Sequence, residues 1–233
     1  MLQVDVWSDY VCPFCWLEVP VLDALKTRLG DQVNIDWHAF ELRPEPAPTL
    51  DPAGDYLTDI WARAVYPMAR ERGMRLALPP VQPRSRLALE AAEHARAEGR
   101  FDAMHRAIFR AFFEDGHDIG DLDVLLELAH GVDLRVDGLA TALRFGTHTE
   151  AVLADERLAE ALGVTGVPLI VFRPAGAGWD DAVGLSGAQG EERVMAVAQR
   201  VLQTADKAEG RSPGAPTVQP STDDPAQGPS CAA

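Results

Sequence analysis

Cys12 and Cys15 stand two residues apart in YVCPFCWLEV, residues 10–19, with Pro13 and Phe14 between them. Thiols at this spacing can hold a metal ion, close a structural disulfide or cycle as a redox dithiol. Structural zinc takes four ligands. The chain offers no second cysteine pair, and its six histidines, at 38, 94, 105, 117, 130 and 148, are scattered without the spacing of a zinc-binding pair. Three cysteines in all cannot make a framework of bridges.

The local pattern favours redox chemistry. Leu2, Val4 and Val6 alternate with Gln3, Asp5 and Trp7, the period of a strand, and from Pro13 to Leu29 the spacing of Phe14, Leu17, Val21, Leu22, Leu25 and Leu29 is helical, closed by Gly30. Cys12 thus falls where a strand ends and a helix begins, with Pro13 at the first helical position. Its sulfur faces free N–H groups and the positive end of the helix dipole, which favour thiolate, the nucleophilic form. A pKa below the free thiol's value of about 8.5, nearer thioredoxin's roughly 7, is expected. Cys15 lies one turn on, within reach of a mixed disulfide on Cys12.

The elements that position this pair continue along the chain. VNIDWHAFEL, residues 33–42, alternates again, giving a strand–helix–strand unit with parallel strands. The next hundred residues read as helices over 56–73, 85–98, 101–113, 122–129, 136–144 and 149–162. VPLIVF and AVGLS then read as two strands, and a last helix spans about 187–203. The predicted class is α/β, one core carrying a large all-helical insertion. Expected boundaries are a first core part over 1–48, the insertion over 49–148, a second core part over 149–204 and a disordered tail over 205–233, rich in Pro, Gly, Ser and Ala. Cys231 lies in that tail, read as an incidental thiol.

The net charge of −15 over 233 residues argues against nucleic acid and anionic membranes as partners. No apolar run is long enough to cross a bilayer, and MLQVDVWSD has neither the basic nor the apolar region of a signal peptide. A cytoplasmic location is the expectation.

Several further residues invite roles. Pro168 in GVTGVPLIVF stands where a strand begins, and a cis Val167–Pro168 bond fits there. Ser186 and Gln189 have capping-box spacing for the last helix, and Asp121 fits an N-cap. Asp9 could shape its loop or repel a thiolate, with capping or solvation the default, and His38 could approach the site, with packing at a strand end the default. Trp61, Tyr66, Met68 and Phe112 fall on apolar helical faces, with core packing the default and a groove above Cys12 a further use.

Taken together, VDVWSDYVCPFC, WHAFELRP, FRAFFEDGHDIGD, GVTGVP and LSGAQ resemble the DsbA-like branch of the thioredoxin superfamily, and within it the FrnE-type cytoplasmic subgroup. The resemblance spans about residues 1 to 200. It implies a thioredoxin-like fold and thiol–disulfide oxidoreduction without a cofactor or metal. Cys12 would be the exposed attacking cysteine, Cys15 the buried resolving one, and Pro168 the cis proline packed against them. Val167 would pair its backbone with an extended substrate, beside Pro13 and Phe14 as further substrate contacts. Asp5, half-way along the first strand, would be a buried acid accepting the Cys15 proton. Substrates would be protein thiols or disulfides, or glutathione. The same branch includes 2-hydroxychromene-2-carboxylate isomerases and kappa-class glutathione transferases, which usually place serine where Cys12 stands. A peptide-binding, chaperone-like module is a third reading.

Overall fold

The computed structural model describes residues 1–209 and 231–232. The chain opens with β1 (Leu2–Ser8), α1 (Pro13–Leu29) and β2 (Val33–Ala39), and β1 pairs with β2 in parallel, as the alternation predicts. After the helical region come β3 (Gly166–Val167), β4 (Leu169–Pro174) and β5 (Val183–Ser186), with β4 antiparallel to both β1 and β5. The four-stranded sheet has the order β2-β1-β4-β5. Pro168, which has no N–H to donate, separates β3 from β4, so β3 stands outside that sheet.

Between β2 and β3 lie α2 (Asp55–Ile60), a π turn (Trp61–Val65), α3 (Tyr66–Glu71), α4 (Arg86–Ala97), α5 (Phe101–Phe113), α6 (Leu122–Gly131), α7 (Val136–Phe145) and α8 (Thr149–Ala161). This is a thioredoxin-like core with a helical insertion, the fold the resemblance implies. The single helix predicted over 56–73 carries a π turn because Pro67 lacks an N–H for the regular ladder and its ring crowds the preceding turn.

β1 is central, so both its faces are covered. Leu2, Val4 and Val6 join Ile170 and Phe172 under Val21, Leu22 and Leu25 of α1 and Val194, Ala198 and Val201 of α9 (Glu191–Glu209). Trp7 belongs to the second cluster, which is continuous with the helical insertion, and its indole N–H donates to the Asp155 carbonyl of α8 at 3.3 Å.

Two expectations need correction. Ser186 does not cap the last helix. It ends β5 opposite Leu169, Gly187 turns the chain with φ 77°, and α9 begins at Glu191. Gln189 instead donates from its side chain to the Ser186 carbonyl at 2.7 Å. The tail boundary at 205 is also wrong. α9 continues to Glu209, since Ala205, Lys207, Ala208 and Glu209 all favour helix, and Cys231–Ala232 form a further strand, β6. Residues 210–230 and 233 of the expected tail lie outside the described residues.

Among the described residues, no helix is long and apolar enough to cross a membrane.

Candidate active site

Cys12 is the N-cap of α1, with extended backbone (φ −94°, ψ 112°), and Pro13 follows within the first turn. Its N–H donates to the Asp9 carbonyl at 3.1 Å, while its own carbonyl accepts from Cys15 N at 3.1 Å and Trp16 N at 3.4 Å. Those bonds close the first turn and set the two cysteines on one side of it. Cys15 is a free, fully buried thiol. Burial above all, then its hydrogen bond with Cys12 and the charge there, push the Cys15 thiol well up, against the Asp9 backbone and Ser8 side chain, which pull it down.

The structure brings the second motif to the first. The Val167–Pro168 bond is cis, and the Cys12 thiol donates to the Val167 carbonyl at 3.5 Å. Pro168 is held in turn by Gly187 N, which donates to its carbonyl at 2.8 Å. The expectation of an exposed attacking cysteine is corrected, because Cys12 and Val167 are both 0 % exposed. Phe14 is likewise 1 % exposed, and with Pro13 it lines an apolar cavity shared with Leu42, Leu50, Leu57 and Trp61. Of the large apolar residues of the insertion, Trp61 reaches that cavity with the Tyr66 ring edge-on to its own at 5.3 Å, Met68 packs at the edge of the core, and Phe112 is fully buried within the core.

Asp5, expected as the proton acceptor for Cys15, is engaged by Arg173 and His38. Its carboxylate accepts from Arg173 Nε at 2.7 Å and Nη2 at 3.2 Å, and meets His38 Nε2 at 3.2 Å. Burial pushes its pKa up, but the His38 and Arg173 hydrogen bonds and charges together outweigh that and hold it below the usual carboxylate range, which makes it a poor base. Strand alternation sets Asp5 on the same side of β1 as Trp7, opposite Val4 and Val6, which pack under Val21, Leu22 and Leu25 of α1. His38 also bonds Asp155 at 2.7 Å. Burial opposes its charge, yet Asp155 and Asp5 raise its pKa to about 9. Asp5, Asp36 and His38 are close enough to share an ion, but Arg173 and Arg96, the latter 3.1 Å from Asp36, already supply positive charge there.

Sequence reasoning missed Glu18. It is 0 % exposed, one turn beyond Cys15, and accepts from Gln189 N at 2.9 Å and Arg72 Nη1 at 3.3 Å. Arg72 also donates to the carbonyls of Leu17 and, at 2.6 Å, Gln189. Burial lifts the Glu18 carboxyl to about 7 against the pull of Arg72 and Gln189 N. The signal was a lone acid in the apolar run CWLEVPVL. Asp9 is buried rather than solvated. Its carboxylate accepts from Leu42 N at 2.7 Å and Val11 N at 3.3 Å, tying the cysteine loop to the segment after β2, and burial raises it to about 6. Behind the loop, Tyr10 OH meets His105 Nδ1 at 2.9 Å, and Trp16 stacks on Phe109 at 5.2 Å.

The family model for the DSBA-like thioredoxin domain matches residues 3–201, which takes in every element just described around the pair. The chain belongs to the DsbA-like thioredoxin-domain family. It is 33 % identical over 176 residues to YwbO, an uncharacterised protein of Bacillus subtilis, covering 73 % of this chain and 86 % of that protein. Among solved structures it is similar to the "probable DsbA oxidoreductase" of Streptomyces coelicolor, at 25 % identity and a TM-score of 0.72, covering 93 % of this chain and 94 % of that one. It shares the fold of the cytosolic disulfide reductase DsbM of Pseudomonas aeruginosa with GSH, at 18 % identity and a TM-score of 0.62, covering 90 % and 100 %. Members of this DsbA-like family are thiol–disulfide oxidoreductases or related isomerases.

Proposed function

We propose that Cys12 and Cys15 are the working dithiol of a thiol–disulfide oxidoreductase. The observation that carries this reading is the convergence on Cys12: helix N-terminus, Val167 carbonyl at 3.5 Å, and a buried thiol one turn away. In the reducing direction the Cys12 thiolate attacks a substrate disulfide, forms a mixed disulfide and releases one substrate thiolate. Cys15 then gives up its proton and attacks the Cys12 sulfur. The Cys12–Cys15 disulfide forms and the second substrate thiol leaves with a proton. The oxidising direction is the reverse. The raised pKa of Cys15 keeps it a thiol, and so a poor competitor, until the mixed disulfide has formed.

Protein thiols and disulfides are the proposed substrates, bound in extended form along Val167 and Pro168 with apolar side chains toward Pro13, Phe14 and Trp61. Glutathione is a second proposed substrate, supported by the fold shared with DsbM, a structure solved with GSH. A cytoplasmic site of action, and membership of the FrnE-type subgroup, complete the proposal. The cysteine at position 12 supports this reading over the isomerase and glutathione-transferase chemistry, which usually places serine there. Insulin reduction tests it. Wild type should precipitate the insulin B chain and Cys12→Ser should not. Equal rates above background would refute the role of Cys12, and no reduction above background by either protein would leave only a peptide-binding module.

A further inference from the structure

The strand β6, Cys231–Ala232, is paired with β3 in antiparallel register, Cys231 opposite Val167 and Ala232 opposite Gly166. This is the edge next to Cys12: the residue facing Cys231 is the one whose carbonyl accepts the Cys12 thiol at 3.5 Å. Directly opposed residues of an antiparallel pair have Cα atoms about 4.5–5.5 Å apart. The fold therefore brings the backbones of all three cysteines of the chain to one end of α1. Cys12 and Val167 are both fully buried, so the edge is covered in this structure rather than open to solvent. Glu209 and Cys231 are joined by 21 residues, 210–230, which can span up to about 70 Å, ample for closure within one chain.

We propose that the C-terminal segment is a built-in substrate, and that Cys231 exchanges with the dithiol to form an internal Cys12–Cys231 disulfide. The inference rests on the dithiol reading above. Starting from the Cys12–Cys15 disulfide, the Cys231 thiolate attacks the Cys12 sulfur. The Cys12–Cys231 bond forms, the Cys12–Cys15 bond breaks, and Cys15 leaves as a thiolate that takes up the proton Cys231 lost. One disulfide is exchanged for another, so no outside oxidant or reductant is consumed. Attack by Cys15 on Cys12 reverses the step. The internal bond holds β6 on the edge an extended peptide would use, so an incoming substrate must displace both a strand and a sulfur.

The test uses the full chain. Cys15→Ser cannot close the Cys12–Cys15 bond, so on reaction with oxidised glutathione its Cys12 should pass from a glutathione adduct to a bond with Cys231. Non-reducing digestion and mass spectrometry should then find one linked pair of peptides, holding Cys12 and Cys231. Its yield should be unchanged on about tenfold dilution, as an intramolecular reaction requires. Cys15→Ala, an apolar replacement for a buried thiol, should give the same pair if the serine disturbs folding. Cys12 ending as the glutathione adduct with Cys231 reduced, or in linked dimers that vanish on dilution, would overturn the inference. Wild type under the same oxidant reports on the dithiol reading separately. A Cys12–Cys15 bond there, with no Cys12–Cys231 bond in the variants, sinks the tail inference alone, whereas a wild type forming neither bond sinks both.

Discussion

Glu18 provides a measurable consequence of burying an acid on α1. Its carboxyl has no exposed surface and titrates at about 7 instead of 4.5. Below pH 4.5 it is protonated in both folded and unfolded chains and costs nothing. Between about 4.5 and 7 the unfolded chain releases the proton while the folded one keeps it, so stability falls as pH rises. Above 7 both are ionised and the folded state carries the whole penalty. A shift from 4.5 to about 7 corresponds to about 3 kcal/mol, of which roughly 2 to 3 kcal/mol falls between pH 5 and pH 8. Glu18→Gln removes the ionisation and keeps an acceptor for Gln189 N, while Arg72 keeps its bonds to the Leu17 and Gln189 carbonyls. Asp9, raised to about 6, adds a slope of the same sign in both proteins, so the difference between them isolates Glu18. Urea unfolding at pH 5 and pH 8 measures it. At an m-value of about 3 kcal/mol/M, the wild-type midpoint should lose roughly 1 M more than the variant's over that interval. Parallel lines for the two proteins from pH 5 to pH 8 would refute the argument that the Glu18 charge is paid for by the fold.

Phe109→Ala should cost about 3–5 kcal/mol in urea or thermal unfolding. The ring is fully buried and sits 5.2 Å from Trp16, 4.8 Å from Tyr10 and 5.0 Å from His105, so the cavity would open directly behind the cysteine loop. Arg173→Gln removes both guanidinium bonds to Asp5, whose carboxylate is left buried with His38, and should cost about 3 kcal/mol or more. Insulin reduction per folded molecule should be unchanged by Arg173→Gln, and a tenfold fall in that rate would restore Asp5 to the chemistry. The reduction potential of the Cys12–Cys15 pair should lie nearer thioredoxin's roughly −270 mV than DsbA's roughly −120 mV, because Pro13 and the buried Phe14 bring no charge to the helix end. Equilibration against glutathione buffers, followed by thiol alkylation, would read this potential.

What the sequence made legible was local, and what it hid depended on contacts made at long range or over very few residues. Strand period, helix period and the turn between them are written within about thirty residues around Cys12, and Pro168, by its missing N–H, marks the break just before β4. The helices of the insertion follow the same rule, and even the π turn at Trp61–Val65 traces to Pro67, a residue that reads plainly once its lost hydrogen bond is counted. Asp5 shows the other case. A lone acid between Val4 and Val6 marks a buried carboxylate, but two partners compete to explain it: a thiol on the helix that follows, or a cation from elsewhere. The cation is Arg173, 168 residues away, on the strand antiparallel to β1, opposite Gln3 and so diagonal to Asp5. Only the pairing of β1 with β4 decides between them, and no local pattern carries that register. Glu18 was hidden for the same reason, since Arg72 and Gln189 come to it from two distant segments. β6 is hidden differently. Two residues have no period, and Cys231 carries meaning only because Val167 lies opposite. In this protein the paired cysteines were legible from the element that presents them, while the groups that surround or cover them were set by the fold.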